Sequence, residues 1–352
     1  MTTLNECLNA IVPQDDSWRD KAMDHIHDLT MPRWALGRIL EIAVDLAGMT
    51  RTLELQTKRK TVVLFAGDHG VVAQGVSPQP QSVTVQMLKN FSRGGGAISV
   101  LASSVGANVK LIDIGVNADT SEIPNVLNRK IAYGTRDMYL GPAMTREEAI
   151  RSLEIGIEAA ERLAQETDVF ATGEMGIGNT TPSSAIVTVL SREIDPMAYV
   201  GRGAGLEPER LVHKADVIRH AIELNAPNPD DPIDILSKVG GFEIGGIAGV
   251  ILGAAKLKKP VVIDGFISTA GALIAHALSP ESADYMILAH SSVERGHVRM
   301  AEILGKKALL NLELRLGEGT GAALAMPLLD AASAVMRDMS TFSSAGVTEE
   351  GL

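Results

Sequence analysis

The sequence predicts a doubly wound α/β fold, a mostly parallel sheet covered by helices on both faces. Short apolar, β-branched runs recur along the chain, and most end in Gly, Asp or His. Amphipathic helical patterns separate them. Continuous apolar runs of this kind suit strands buried on both faces, which parallel sheets require.

The elements follow in order. Residues 1–58 read as helical and strand-poor. A first strand at 61–66 runs into Gly67-Asp68-His69-Gly70, and a second at 109–112 into Asp113-Ile114-Gly115. Thr145-Arg146-Glu147-Glu148 is a capping box. It opens a helix with Ile150, Leu153, Ile157 and Leu163 near one face. A third strand at 168–171 meets Gly173-Glu174, and Thr181-Pro182 places a capping hydroxyl before a Pro at the first helical position. A fourth run, 198–200, precedes Gly201-Arg202-Gly203, and Glu207-Pro208 opens a helix over 210–225. The last two strands are 260–263, before Asp264-Gly265, and 285–288, before Ala289-His290. Residues 292–340 show no strand pattern. They are expected to pack with 1–58 as a smaller helical domain, 1–58 with 292–352, beside a large domain over 59–291. Residues 341–352 read as a mobile tail.

Composition narrows the function. The chain has 352 residues, 45% hydrophobic and 21% charged, with a net charge of −11. That charge argues against non-specific binding to nucleic acid or anionic membranes. Only 3% of residues are aromatic, too few for a base-stacking platform. A single cysteine, Cys7, excludes a disulfide framework or a Cys-based zinc site. The longest apolar run, 244–255, is far shorter than the roughly 20 residues of a membrane span. With no basic and apolar leader at the N-terminus, a cytoplasmic location is expected.

Open parallel sheets bind ligands beyond the carboxyl ends of their strands. Asp68, His69, Asp113, Glu174, Gly201, Gly203 and Asp264 fall there. Each has a plainer reading: a strand-end Asp forms turns or caps, and His69 bonds loop backbone. The segment Gly173-Glu174-Met175-Gly176-Ile177-Gly178-Asn179-Thr180-Thr181-Pro182 says more. A Gly-rich loop feeding a helix start offers free N–H groups to an anion, although tight strand–helix turns use the same glycines. Gly201-Arg202-Gly203-Ala204-Gly205 has the wrong spacing for a dinucleotide fingerprint, and no Walker A sequence occurs. In Arg315-Leu316-Gly317-Glu318-Gly319-Thr320-Gly321 a lone carboxylate sits between glycines. Desolvation there raises its pKa toward that of a working general base; the alternative is a charge serving the following helix start. Lys214, with Asp216 nearby, reads by pattern as a solvated helix lysine. No Ser-His-Asp spacing is interpretable and no HExxH-type metal cluster occurs. These residues point to a transferase acting on a phosphorylated small molecule.

Several segments resemble one family, the nicotinate-nucleotide–dimethylbenzimidazole phosphoribosyltransferases. They are 173–182, Ala-Gly-Asp-His-Gly-Val (66–71), Gly-Val-Ser-Pro (75–78), Lys-Val-Gly-Gly-Phe-Glu (238–243), Asp-Gly-Phe-Ile-Ser-Thr (264–269) and Arg-Leu-Gly-Glu-Gly-Thr-Gly-Ala-Ala (315–323). The match is collinear from about residue 29 to about 338. The resemblance implies transfer of the phosphoribosyl group of nicotinate mononucleotide to an aromatic lower-ligand base of cobamides. It implies a Rossmann-like large domain, a homodimer, and no metal or other cofactor. It gives Glu318 the role of general base and Glu174 that of a second active-site carboxylate. Gly176, Gly178, Asn179, Thr180 and Gly203 match the loops around the nucleotide, and Lys214 a lysine near its phosphate. Ser77 and Gln86 match positions lining the base pocket.

The chain departs from the family at one place. Where relatives read Lys-Pro-Pro-Gly-Ser-Leu-Gly-Arg-Leu-Glu, it reads Met31-Pro32-Arg33-Trp34-Ala35-Leu36-Gly37-Arg38-Ile39-Leu40. Some relatives work as heteromeric pairs that activate phenolic bases. The altered segment therefore raises further expectations: a heterodimer with a paralogue, in which the retained Glu174 and Glu318 make this chain the catalytic subunit acting on phenol or p-cresol, or, as the alternative, a non-catalytic partner subunit.

Overall fold

The computed structural model describes residues 2–203 and 205–348. Six strands form one sheet: β1 (Lys60–Gly67), β2 (Ala107–Gly115), β3 (Val126–Asn128), β4 (Val169–Met175), β5 (Val261–Ile263) and β6 (Met286–Leu288). Their order is β3-β2-β1-β4-β5-β6, and every pairing is parallel. The strand order reverses between β1 and β4, so the sheet is doubly wound as predicted. β1 is buried at all its positions, which explains its unbroken apolar run.

Helices cover both faces. A Cβ on Gly319 would meet Val62 and Ile98, whereas one on Gly246 would meet Phe65. Residues three apart on a strand point to opposite faces. The helices Ala97–Ser104 and Thr320–Asp338 therefore lie on one face and Phe242–Lys256 on the other. Phe242–Lys256 packs along Arg146–Leu163, whose capping box is present as predicted. Glycines bring these two helices together: a Cβ on Gly156 would lie 2.1 Å from the Gly246 carbonyl, and one on Gly249 2.0 Å from that of Leu153. The 244–255 run is apolar because this helix is buried on every side. Among the described residues no helix is long and apolar enough to cross a membrane.

Four local expectations are corrected. Residues 198–200 form no strand: Asp195 caps a 3-10 turn at Pro196–Ala198 instead. The sheet gains β3, a half-exposed edge strand that carries no apolar run. The helix Thr180–Leu190 starts two residues before Pro182, with Asn179 at its N-cap position, so Thr181 lies inside it. Residues 341–348 are tied down: Thr341 bridges Leu29, and the Phe342 N–H bonds the Asp28 carbonyl. The remainder of the expected tail, 349–352, lies outside the described residues.

Candidate active site

The site forms where β4, β5 and β6 end. β4 carries Glu174 to the carboxyl edge of the sheet, and its loop returns through Gly176 and Gly178 to the helix at Thr180. Gly178 turns this loop with a φ of +93°, open to Gly at little cost. β5 delivers Asp264, and β6 leads to His290, Ser292 and Glu294. Opposite them runs the segment 313–318.

Together these segments enclose a cavity of about 600 Å³. One part of its wall is polar, with Glu174, Asn179, Thr180, His290, Ser292, Glu294 and Glu318. Another is apolar, with Val83, Met87, Ile177, Phe266 and Leu316. Size and lining fit a small molecule with an aromatic part and a polar part.

Two buried glutamates meet here, one through its backbone N–H and the other through its carboxyl group. The Glu318 backbone N–H donates to Glu174 Oε1 at 3.2 Å, and Asn179 Nδ2 donates to Glu174 Oε2. That commitment explains why the Asn179 side chain does not cap its own helix. Burial pushes the Glu174 carboxyl up to about 8; the Glu318 N–H opposes the shift, and the Asp264 and Glu243 charges add to it. At neutral pH Glu174 therefore holds a proton. Burial also raises Glu318, against the weak pull of the Ile98 N–H, which donates to its Oε2 at 3.4 Å. Glu318 adopts a φ of +64°, a left-handed conformation uncommon for a residue with a Cβ. The strained backbone aims its N–H at Glu174. Gly317 is compelled by the same contact, because a Cβ there would lie 2.2 Å from Glu174 Oε1.

Asp264 braces the pair from below. Its carboxylate accepts the N–H groups of Gly319 (3.0 Å) and Ala322 (2.9 Å) at the start of the helix Thr320–Asp338. The strand-end Asp is thus a helix cap, but for a helix that starts far ahead of it in the chain.

Behind the Thr180 wall of the cavity lies a buried lysine. Lys214 Nζ donates to Thr180 Oγ1 (2.7 Å) and to the Gly201 carbonyl (3.2 Å). Lys214 is 1% exposed, which overturns the reading from pattern as a solvated lysine. Burial brings it down to about 8, and the Glu294 charge opposes the fall. Glu294 Oε1 accepts the Gly203 N–H at 3.1 Å, and its Oε2 is packed against Gly201, where a Cβ would lie 1.5 Å away. Gly203 is held on its other side by Thr180.

The remaining candidates lie elsewhere. Ser77 bonds locally to Gln79, and Gln86 is exposed; neither is on the cavity wall, although Gln79, Val83 and Met87 beside them are. Asp113 makes the turn after β2, accepting the Gly115 and Val116 N–H groups. Asp68 accepts from Thr84 Oγ1 and the Asn117 N–H. His69 Nε2 bonds Glu243 at 2.8 Å instead of loop backbone. His290, Ser292 and Glu294 were missed by the sequence reading. The strand-end rule that reaches Asp264 after β5 reaches His290 after β6 as well.

A parallel α/β sheet with an acid-lined cavity at its carboxyl edge is the framework of an enzyme acting on a small molecule. Residues 11–347 match the DBI_PRT family model, described as Phosphoribosyltransferase. The chain belongs to this family of phosphoribosyltransferases. It is 53% identical over 352 residues to the nicotinate-nucleotide–dimethylbenzimidazole phosphoribosyltransferase of Syntrophotalea carbinolica, with 99% of each chain covered. The protein of the same name from Desulfotalea psychrophila is 50% identical over 353 residues, again with 99% of each covered. Among solved structures, CobT from Thermus thermophilus superposes with a TM-score of 0.91 at 43% identity, covering 95% of this chain and 99% of that one.

Proposed function

We propose that the chain transfers the 5-phosphoribosyl group of nicotinate mononucleotide to 5,6-dimethylbenzimidazole, releasing nicotinate and forming an α-ribotide for cobamide synthesis. The observation that carries this reading is the pairing of Glu318 with Glu174 on the wall of one cavity, with a buried lysine bonded to Thr180 of the same wall. Relatives at about half identity over the full length bear the name of that reaction.

The chemistry needs little from the protein beyond placement, one base and one charge. The C1′–N bond is weak because the pyridinium nitrogen leaves as a neutral ring, its bonding pair returning to nitrogen. The unprotonated azole nitrogen attacks C1′ from the opposite face, which inverts β to α. The other azole nitrogen then gives its proton to Glu318, a carboxylate that burial makes a stronger base than an exposed glutamate. Glu174, protonated at neutral pH, orients the incoming base through its carboxyl group; answering positive charge on the ribose requires its ionised form. Lys214, Thr180 and the Gly176 and Gly203 turns take the phosphate.

The assembly belongs to the same proposal. We assign residues 1–58 with 292–352 to a smaller helical lobe and 59–291 to the large one. Packing of the helix Arg38–Thr50 against Thr320–Asp338 supports this. We read the working unit as a homodimer. Exposed Trp34, Leu36, Leu312 and Leu316 support an intersubunit contact, and Arg38 joins their two segments by bonding the Lys307 carbonyl. The altered 31–40 segment is the feature that favours the second reading, a heteromer with a paralogue acting on phenolic acceptors.

Incubation of the purified chain alone with nicotinate mononucleotide and a panel of azoles and phenols tests the reading. The expected result is stoichiometric nicotinate and α-ribazole 5′-phosphate from the benzimidazole. Turnover of phenols alone, or only with an added paralogue, would replace the first reading by the second.

A further inference from the structure

Two buried histidines stack beside the cavity, with ring centroids 6.1 Å apart and planes 19° from parallel. One is fully bonded: His297 Nδ1 accepts the Ser292 N–H at 3.2 Å, and its Nε2 pairs with Thr269 Oγ1 at 3.1 Å. The other, His290, is 2% exposed, and its Nδ1 is buried without a partner. Its Nε2 lies 3.9 Å from Asp264 Oδ1, beyond hydrogen-bond reach, and that carboxylate is already engaged by the start of the helix Thr320–Asp338. Buried polar groups normally carry partners, and an orphan is costly. Here the backbone even makes way for it: a Cβ on Gly321 would lie 2.0 Å from the ring and one on Gly265 3.1 Å from Nε2.

The position of the ring suggests what it waits for. His290 lines the cavity. On one side of it stand Asp264 and, through Gly319, the Glu318 loop. On the other side its own segment continues to Ser292 and to Glu294, which holds Gly203 beside Thr180 and Lys214. A nucleotide laid with its phosphate at Thr180 and Gly203, in front of Lys214, and its glycosidic bond at Glu318 puts its ribose between them, beside this ring. Nε2 is the ring nitrogen turned toward Gly265 and Asp264, and so the one placed to donate to a ligand there.

We propose that His290 is a substrate-binding residue whose Nε2–H donates to a ribose hydroxyl of the donor nucleotide. The assignment rests on the nucleotide reading given above. It accounts for a buried imidazole whose Nε2 faces the cavity with no hydrogen-bond partner among the described residues, two glycines shaped around the ring, and a neighbouring histidine whose nitrogens are both bonded.

The test is His290→Phe, which keeps a ring of similar shape and removes both nitrogens. With no native partner lost, its unfolding midpoint should hold or rise. Calorimetry then compares nicotinate mononucleotide with its 2′-deoxy and 3′-deoxy analogues. The parent chain should bind one deoxy analogue about tenfold more weakly than the full nucleotide, the worth of one hydrogen bond. The variant should bind all three alike, at the level of that weaker analogue. Undiminished binding of the full nucleotide by the variant, or an equal loss on all three ligands, would overturn the assignment. A second pair keeps the test decisive if the phenylalanine fails to fold. His290→Gln places an amide donor near the old Nε2 and should recover part of the affinity, whereas His290→Asn, which mimics Nδ1, should not; equal behaviour of the two refutes the Nε2 contact. A parent chain that ignores nicotinate mononucleotide altogether would overturn the proposed function itself, a result distinct from failure of the His290 contact.

Discussion

Replacing Glu318 by Gln changes one atom at the centre of the proposed chemistry. The side chain keeps its shape, and its amide oxygen still accepts the Ile98 N–H. The backbone N–H to Glu174 and the left-handed turn are untouched. A buried carboxylate that feels the Asp264 charge is exchanged for a neutral amide, so the fold loses nothing electrostatic. The unfolding midpoint should therefore stay level or rise slightly. Catalysis should not: an amide cannot take the azole proton, and loss of a positioned base costs about 10²–10⁴ in rate, or roughly 3–5 kcal/mol of transition-state stabilisation. The assay is nicotinate release under saturating nucleotide and base, with calorimetric binding of nicotinate mononucleotide as the control. Unchanged binding with kcat down at least a hundredfold is expected. The parent's rate should also fall on the acid side as the raised Glu318 carboxyl takes up a proton, and that limb should vanish in the variant. Near-normal turnover would remove Glu318 from the role of base.

Lys214→Met should weaken nicotinate mononucleotide by about 1.5–3 kcal/mol and leave the free base unaffected, as read by calorimetry. In the parent, nucleotide affinity should fall as pH rises past about 8, where Lys214 loses its proton; a flat profile would contradict a phosphate contact. Glu174 is raised from 4.5 to about 8, so between those values the folded chain holds a proton that the unfolded chain has lost. Stability should then fall as pH rises through this window, by at most about 1.4 kcal/mol per pH unit from this group, and urea titrations of Glu174→Gln should show a shallower fall. Trp34 adopts a φ of +58° while 38% exposed, so Trp34→Gly should relieve strain and stabilise the isolated chain by about 1 kcal/mol. The same change should shift sedimentation toward monomer if the tryptophan anchors an interface. Gly317→Ala forces a Cβ to within 2.2 Å of Glu174 at a φ of +83°, and should lower both melting temperature and rate.

Elements that owe their state to local pattern were legible in the sequence. β1, β2, β4, β5 and β6 stand out because a strand covered on both faces has no polar side to interrupt it. β3 did not, since an edge strand of three half-exposed residues has no such signature. Residues 198–200 misled for the reverse reason: a short apolar run fits a buried turn as well as a strand, and Asp195 and Pro196 decide for the turn. In the site, Glu174 and Glu318 announced themselves through the glycines around them. Asp264 could not announce its partner, because the helix start it holds is 55 residues away from it at Gly319. Lys214 is buried only because its helix packs on Thr180–Leu190, a contact no local pattern records. His297 and His290 look alike in sequence, and three-dimensional bonding alone separates them.

The Glu318–Glu174 hydrogen bond joins residues 144 positions apart, and it has a consequence for how the protein is made. A ribosome adding about 5–20 residues per second needs roughly 7–30 s to travel between them. Throughout that interval the nascent chain has β1, β2 and β4 available to pair, while Glu174 faces water in place of the loop that will bury it. Its carboxyl then behaves as an ordinary ionised glutamate. The basic strength and proton affinity of the site thus come into being late, when the final segments close over the sheet edge. A chain terminated before Glu318 would contain the residues of all six strands and still lack both the second carboxylate and the helix Thr320–Asp338, which covers one face of the sheet.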